Sequence, residues 1–268
     1  MVPPVVDMSW VEENGDRLVL ADVRWYLDGR SGREAYESGH LPGAVFVDLD
    51  KWLSGDPRAG RGRHPLPGPD VFATGMSLLG IADGTTVVGY DDQGGVVAAR
   101  LVWMLRATGH DAALLDGGLQ CYEGPLETGG TVLRPAHFTA RPWPLERLAD
   151  IDDATNAANV VLDARSTERY HGQEERVDPR AGHIPRAVSL PCRGNLDHNG
   201  RFLPVRELRD RFESAGVPAG TSVVSYCGSG VTACHNLLAM ELCGLGHGRL
   251  YPGSWSEYSS RPDRPVAT

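Results

Sequence analysis

Three things are missing from this 268-residue chain. Its five cysteines (Cys121, Cys192, Cys227, Cys234 and Cys243) form no Cys-x-x-Cys pair and no Cys/His spacing of the zinc type, so neither a disulfide scaffold nor a metal site is indicated. No apolar run approaches membrane-spanning length, and Met1-Val2-Pro3-Pro4-Val5-Val6-Asp7 has no charged segment leading into an apolar one. No membrane association is expected, and the cytoplasm is the default location. Positive charge is scarce as well: 26 Lys and Arg against 35 Asp and Glu give a formal net charge of -9. With no basic patch interleaved with aromatics, a nucleic-acid partner is not expected, and an anionic small molecule needs a local cluster of cations.

What is present is concentrated around one cysteine. Thr221-Ser222-Val223-Val224-Ser225-Tyr226 reads as a buried strand, and Ala233 to Leu245 carries Leu, Met and Ala at helical spacing. Cys227 falls between them, at the start of Cys227-Gly228-Ser229-Gly230-Val231-Thr232. Gly228 and Gly230 suit a loop whose backbone amides curl around an anion, and the following helix adds its dipole. A thiol in such a setting is expected to be partly thiolate at neutral pH, which makes Cys227 a candidate nucleophile. Cys234 and Cys243 lie on the predicted helix and read as structural thiols.

The chain also repeats itself. Gly39-His40-Leu41-Pro42-Gly43-Ala44-Val45 recurs as Gly182-His183-Ile184-Pro185-Arg186-Ala187-Val188, and Val19-Leu20-Ala21-Asp22-Val23-Arg24 resembles Val161-Leu162-Asp163-Ala164-Arg165. Gly84-Thr85-Thr86-Val87-Val88-Gly89-Tyr90-Asp91 parallels Gly220-Thr221-Ser222-Val223-Val224-Ser225-Tyr226-Cys227. Each half alternates short apolar strands with helical segments such as 98–107 and 205–215, the pattern of a mainly parallel sheet flanked by helices. The expected organisation is an α/β pair of tandem domains, residues 1–124 and 151–268. The Pro- and Gly-rich stretch 125–150 reads as a linker. Asp91 stands where the second half has Cys227, so the first domain is expected to be non-catalytic. Asp163 and Arg165 read as a structural acid–base pair at a strand end.

Taken together, these elements resemble the two-domain rhodanese-like sulfurtransferases, from the first Asp-x-Arg and Gly-His-Leu-Pro to Tyr251-Pro252-Gly253-Ser254-Trp255-Ser256-Glu257-Tyr258. The resemblance implies that Cys227 carries sulfane sulfur as a persulfide from a small-molecule donor to a thiol, cyanide or thioredoxin-like acceptor, with no cofactor and no metal. The loop is similar to that of 3-mercaptopyruvate sulfurtransferases, whereas thiosulfate-preferring relatives carry basic residues where this chain has Gly228 and Ser229. On that basis Ser229 relays a proton to the departing enolate, and Thr232 caps the helix and donates to sulfur. Gly228, Gly230 and Val231 complete the anion loop. Arg169, with either Arg176 or Arg180, is expected to bind the donor carboxylate. His40 matches a first-domain histidine placed near the family's cleft, although a structural turn shared with His183 explains it equally well. Pro252 stands where the family has aspartate, and Arg186 where it has glycine.

Two rivals remain. A cysteine phosphatase of related fold needs a longer loop closing on an arginine, and here Ala233 occupies that place. The other rival, a silent sulfur-carrier-binding or regulatory module, does not account for a cysteine kept in a glycine loop. Thiosulfate:cyanide sulfurtransfer is the nearest enzymatic alternative.

Overall fold

The protein is described by a computed structural model covering residues 1–268, without the side chains of Asp16 and Ala59. Two compact units divide it. The first comprises Met1–Gly55, Pro67–Trp143 and Asp197–Phe202; the second comprises Asp56–Leu66, Pro144–Leu196 and Leu203–Thr268.

In the first unit the order is β1 (Val5–Val6), α1 (Met8–Asn14), β2 (Leu18–Asp22), α2 (Gly32–Ser38), β3 (Val45–Phe46), α3 (Pro69–Leu78), β4 (Thr86–Tyr90), α4 (Ala99–Ala107) and β5 (Ala112–Leu115). The strands form one parallel sheet in the order β1-β5-β4-β2-β3. In the second unit β6 (Val160–Asp163), α5 (Thr167–Tyr170), β7 (Val188–Ser189), α6 (Val205–Ser214), β8 (Val223–Tyr226), α7 (Ala233–Leu242), β9 (Arg249–Leu250) and α8 (Ser254–Tyr258) build a parallel sheet in the order β7-β6-β8-β9. Parallel strands covered on both faces read as continuous apolar runs, and every residue of β8 is buried. Val161, Val224, Tyr226, Tyr251, Trp255 and Tyr258 form a core cluster of this unit.

The internal repeat is a repeat of physical devices. Asp22 and Asp163 end their strands and are gripped by Arg24 and Arg165 two residues on. Each arginine also donates to the carbonyl of the glycine that opens the Gly-His-x-Pro turn, at 2.7 and 2.6 Å. The amides of Leu41 and Ile184, inside those turns, donate to the hydroxyls of Tyr90 and Tyr226. The expected structural pairing of Asp163 with Arg165 is what the structure shows.

The stretch read as a linker is tied down by backbone hydrogen bonds. Residues up to Trp143 belong to the first unit, where His40 and Glu127 exchange backbone hydrogen bonds at 2.9 Å and Ala136 donates to the Ser77 carbonyl. A Pro- and Gly-rich composition gives no periodic signal even where backbone bonds fix the segment. Residues 56–66, inside the first repeat in sequence, belong to the second unit. Among the described residues no helix is long and apolar enough to cross a membrane, and no group of His, Cys, Asp or Glu is placed to hold a metal ion.

Candidate active site

Cys227 is the first residue beyond β8, at the carboxyl end of an interior strand, and is 2% exposed. In parallel sheets this is where ligand sites form. The Gly230 amide donates to Cys227 Sγ at 3.1 Å. Gly230 has φ +79, and a Cβ there would lie 2.6 Å from the Pro252 carbonyl oxygen, so the position accepts only glycine. Pro252 thus acts through its backbone, which is why the departure from aspartate is compatible with the loop.

The segment ending in α8 supports the loop from behind. The Cys227 amide donates to Ser254 Oγ at 3.1 Å, and that hydroxyl donates to the Tyr251 carbonyl at 2.9 Å. The amides of Trp255 and Ser256 donate to the carbonyls of Cys227 and Gly228 at 3.0 and 2.9 Å. Ser254 holds φ +54, a left-handed conformation in which the first unit uses Gly118 at φ +60. The hydroxyl that receives the Cys227 amide explains a serine in a glycine's place.

Ser229 Oγ lies 2.7 Å from His64 Nδ1, and both residues are buried. His64 arrives on segment 56–66, where Gly62, at φ +90, lets the chain approach to where a Cβ would sit 2.4 Å from the Gly253 carbonyl. The Arg63 amide donates to Ser256 Oγ at 3.0 Å, fixing the same segment to α8. His64 and Arg63 were missed by the sequence reading. The signal available was the Gly60-Arg61-Gly62-Arg63-His64 run, glycines and cations with no periodicity.

Two guanidiniums converge beside Gly228. A Cβ built on Gly228 would lie 3.0 Å from Arg63 Nη2 and 3.3 Å from Arg169 Nη1. Arg169 stands on α5, whose N-cap Ser166 accepts the Arg169 amide. Its Nη2 bonds both oxygens of Glu175, at 2.9 and 2.8 Å, and Asp178 Oδ2 at 3.0 Å. Asp178 Oδ1 pairs with Arg63 Nη1. Burial works against a charge on Glu175, but the amides of Asp178 and Val177 and the Arg169 guanidinium outweigh it and hold this carboxyl below its usual range. Burial pushes Asp178 above its usual range, against the opposing pull of Arg63 and Arg169.

The other sequence candidates fall elsewhere. Arg180 donates to the carbonyls of Ser259, Arg264, Tyr258 and Arg261 at 2.7 to 3.0 Å, so its donors are spent on holding the C-terminal segment. Arg176 has an 84% exposed side chain paired with Glu174. Neither joins Arg169; Arg63 supplies the second guanidinium. His40 is buried in the first unit, its Nδ1 2.8 Å from the Tyr36 carbonyl and its ring stacked on Tyr36 at 3.9 Å. His183 repeats this with Tyr170 at 2.8 and 3.7 Å, which is the shared structural turn. Thr232 occupies the N-cap position of α7 but makes no capping side-chain bond there. Val231 is buried within the loop. Burial, then the neighbouring Cys227, pushes the Cys192 thiol up to about 12, so Cys192 is a protonated, inert thiol at neutral pH. Cys234 Sγ donates to the Gly230 carbonyl at 3.4 Å.

The equivalent loop of the first unit shows what this backbone is built to hold. Asp91, fully buried, accepts four amides: Gln93 and Gly95 on Oδ1 at 2.7 and 2.8 Å, Val97 and Ala98 on Oδ2 at 2.8 and 2.9 Å. An aspartate Oδ is two bonds from Cβ, as is the outer sulfur of a cysteine persulfide. The loop is an anion cradle that carries its own carboxylate in one repeat and a thiol in the other.

A model described as "Rhodanese-like domain" matches residues 8–124 and 145–261. A Pseudomonas aeruginosa protein named "Probable 3-mercaptopyruvate sulfurtransferase" is 43% identical over 266 residues, covering 94% of this chain and 92% of that protein. A Mycobacterium tuberculosis protein named for thiosulfate sulfurtransfer is 40% identical over 268 residues, covering 97% and 94%. The solved structure of 3-mercaptopyruvate sulfurtransferase from Leishmania major superposes with a TM-score of 0.87 at 32% identity, over 96% of this chain and 74% of that one.

Proposed function

The chain belongs to the rhodanese-like family, and from that premise we propose that it is a sulfurtransferase carrying sulfane sulfur on Cys227, with 3-mercaptopyruvate as donor. The observation that carries the proposal is the convergence of four features on one loop. These are the Gly230 amide on Cys227 Sγ, the Ser229–His64 pair, and the guanidiniums of Arg63 and Arg169 beside Gly228.

The Cys227 thiolate attacks the donor sulfur, forming an S–S bond as the donor C–S bond breaks. The bonding electrons leave on the pyruvate enolate, and the proton from the donor's thiol is delivered to that enolate through Ser229 and His64. The outer persulfide sulfur then occupies the cradle position that the Asp91 carboxylate occupies in the first unit, stabilised by preorganised amides. Arg63 and Arg169 hold the donor carboxylate. Transfer of the outer sulfur to a thiol, cyanide or a thioredoxin-like acceptor returns Cys227 to its thiolate.

Relatives are named for both donors, and the loop itself lacks the basic side chains that favour thiosulfate. Thiosulfate concentrates two charges beside the transferred sulfur, whereas mercaptopyruvate carries one carboxylate several bonds away, within reach of a remote guanidinium. None of the five cysteines forms a disulfide among the described residues, which fits a reducing compartment such as the cytoplasm. Steady-state kcat/KM for the two donors under matched conditions tests the reading. The expected result is a higher value with 3-mercaptopyruvate, and a clear preference for thiosulfate would overturn the donor assignment.

A further inference from the structure

The two guanidiniums beside Gly228 are already paired with carboxylates, through Arg63 Nη1 and through Arg169 Nε and Nη2. Asp178, whose side chain is 2% exposed, pairs through one oxygen with Arg63 and through the other with Arg169 at 3.0 Å. Glu175 accepts from Nε and Nη2 of Arg169 and also lies 3.5 Å from Arg165 Nη1, while Arg165 is gripped by Asp163. Arg63, Arg165 and Arg169 are therefore balanced by Asp163, Glu175 and Asp178.

We propose that Asp178 is an internal competitor for the donor's anionic group, and that it sets donor charge selectivity by bridging Arg63 and Arg169 until a donor carboxylate replaces it. This rests on the sulfurtransferase reading for its consequence in turnover, but not for the anion binding it describes. A monoanionic carboxylate exchanged for Asp178 leaves the local charge balance as it was. A dianion brings one charge that the cluster does not match, in a buried setting where an unmatched charge is costly. Asp178 in this way does what the absence of loop lysines and arginines does only in part: it keeps two strong cations near the nucleophile from recruiting dianions.

The test uses the whole chain and unreactive probes, so that it does not depend on catalysis. Pyruvate and sulfate are titrated calorimetrically into wild type, Asp178→Asn and Asp178→Glu. Loss of the carboxylate charge should tighten sulfate relative to pyruvate by about tenfold, the rough worth of one charge-assisted contact, while Asp178→Glu stays near wild type. A ratio in Asp178→Asn within about twofold of wild type would overturn the proposal. Because removing a buried carboxylate can unfold the site, Arg63→Gln serves as a second variant. Its position is 29% exposed, and pyruvate should bind about tenfold more weakly to it. Unchanged pyruvate affinity in Arg63→Gln would also overturn the proposal. In kinetics, Asp178→Asn should raise the thiosulfate to mercaptopyruvate ratio of kcat/KM in parallel with the binding ratio. Shifted binding with no sulfur transfer by wild type from either donor would refute the enzymatic reading while leaving the anion competitor standing.

Discussion

Removing the Ser229–His64 pair is the perturbation that separates proton delivery from persulfide chemistry. The 2.7 Å contact between Ser229 Oγ and His64 Nδ1 lies in a buried setting, so the two side chains are expected to act as one relay. General acid–base catalysis contributes about 10²–10⁴-fold, or roughly 3–5 kcal/mol of transition-state stabilisation. Ser229→Ala and His64→Ala should each lose that much in kcat/KM with 3-mercaptopyruvate, and the double variant should lose little more than either alone. The assay is single-turnover pyruvate release by rapid quench, paired with transfer of preloaded persulfide sulfur to cyanide. Only the first half-reaction makes an enolate, so pyruvate release should slow while transfer to cyanide keeps its rate. Additive losses in the double variant would refute the relay, and so would equal slowing of both half-reactions.

Other consequences follow from single positions. Gly230→Ala places a Cβ 2.6 Å from the Pro252 carbonyl at φ +79; it should cost about 2–4 kcal/mol in urea unfolding and slow persulfide formation as the amide leaves Sγ. Arg186 holds φ +71 where the first repeat has Gly43 at φ +73, so Arg186→Gly should stabilise the protein by about 0.5–1 kcal/mol by the same measurement. Cys192, raised to about 12 in the fold, keeps its proton while the unfolded thiol ionises. Its contribution to stability is therefore intact below pH 9 and lost as pH rises from 9 towards 12, and the alkaline slope of stability should be shallower in Cys192→Ala. Asp91→Asn removes a carboxylate that accepts four amides and should lower stability by about 2–4 kcal/mol, with turnover of the same order as wild type in a donor assay of the folded fraction.

The tandem fold was legible because the repeat carries its own physics: acid-ended strands, Gly-His-x-Pro turns and a glycine loop leave local marks in sequence. The position of the loop that begins at Cys227 was legible for the same reason. Arg169 could be named from the family resemblance of its segment, but Arg180 and Arg176 could not be sorted, because only the folded chain shows that Arg180 is spent on four carbonyls. His40 drew attention through its motif and proved to be a stacked turn residue. His64, in no motif, makes the hydroxyl contact. Its partner Ser229 lies far along the chain, and nothing in residues 56–66 announces membership of the second unit. Long-range placement of a non-periodic segment is set by backbone approach at glycines such as Gly62, which sequence pattern does not encode.

Mass spectrometry of Cys227 after brief exposure to 3-mercaptopyruvate tests the central claim most directly. The tryptic peptide 212–249, which holds Cys227, Cys234 and Cys243, should gain one sulfur atom that fragmentation places on Cys227, and release it on addition of cyanide, with the peptides of Cys121 and Cys192 unmodified. An unmodified Cys227 peptide in turning-over enzyme, or sustained sulfur transfer by Cys227→Ser, would contradict it.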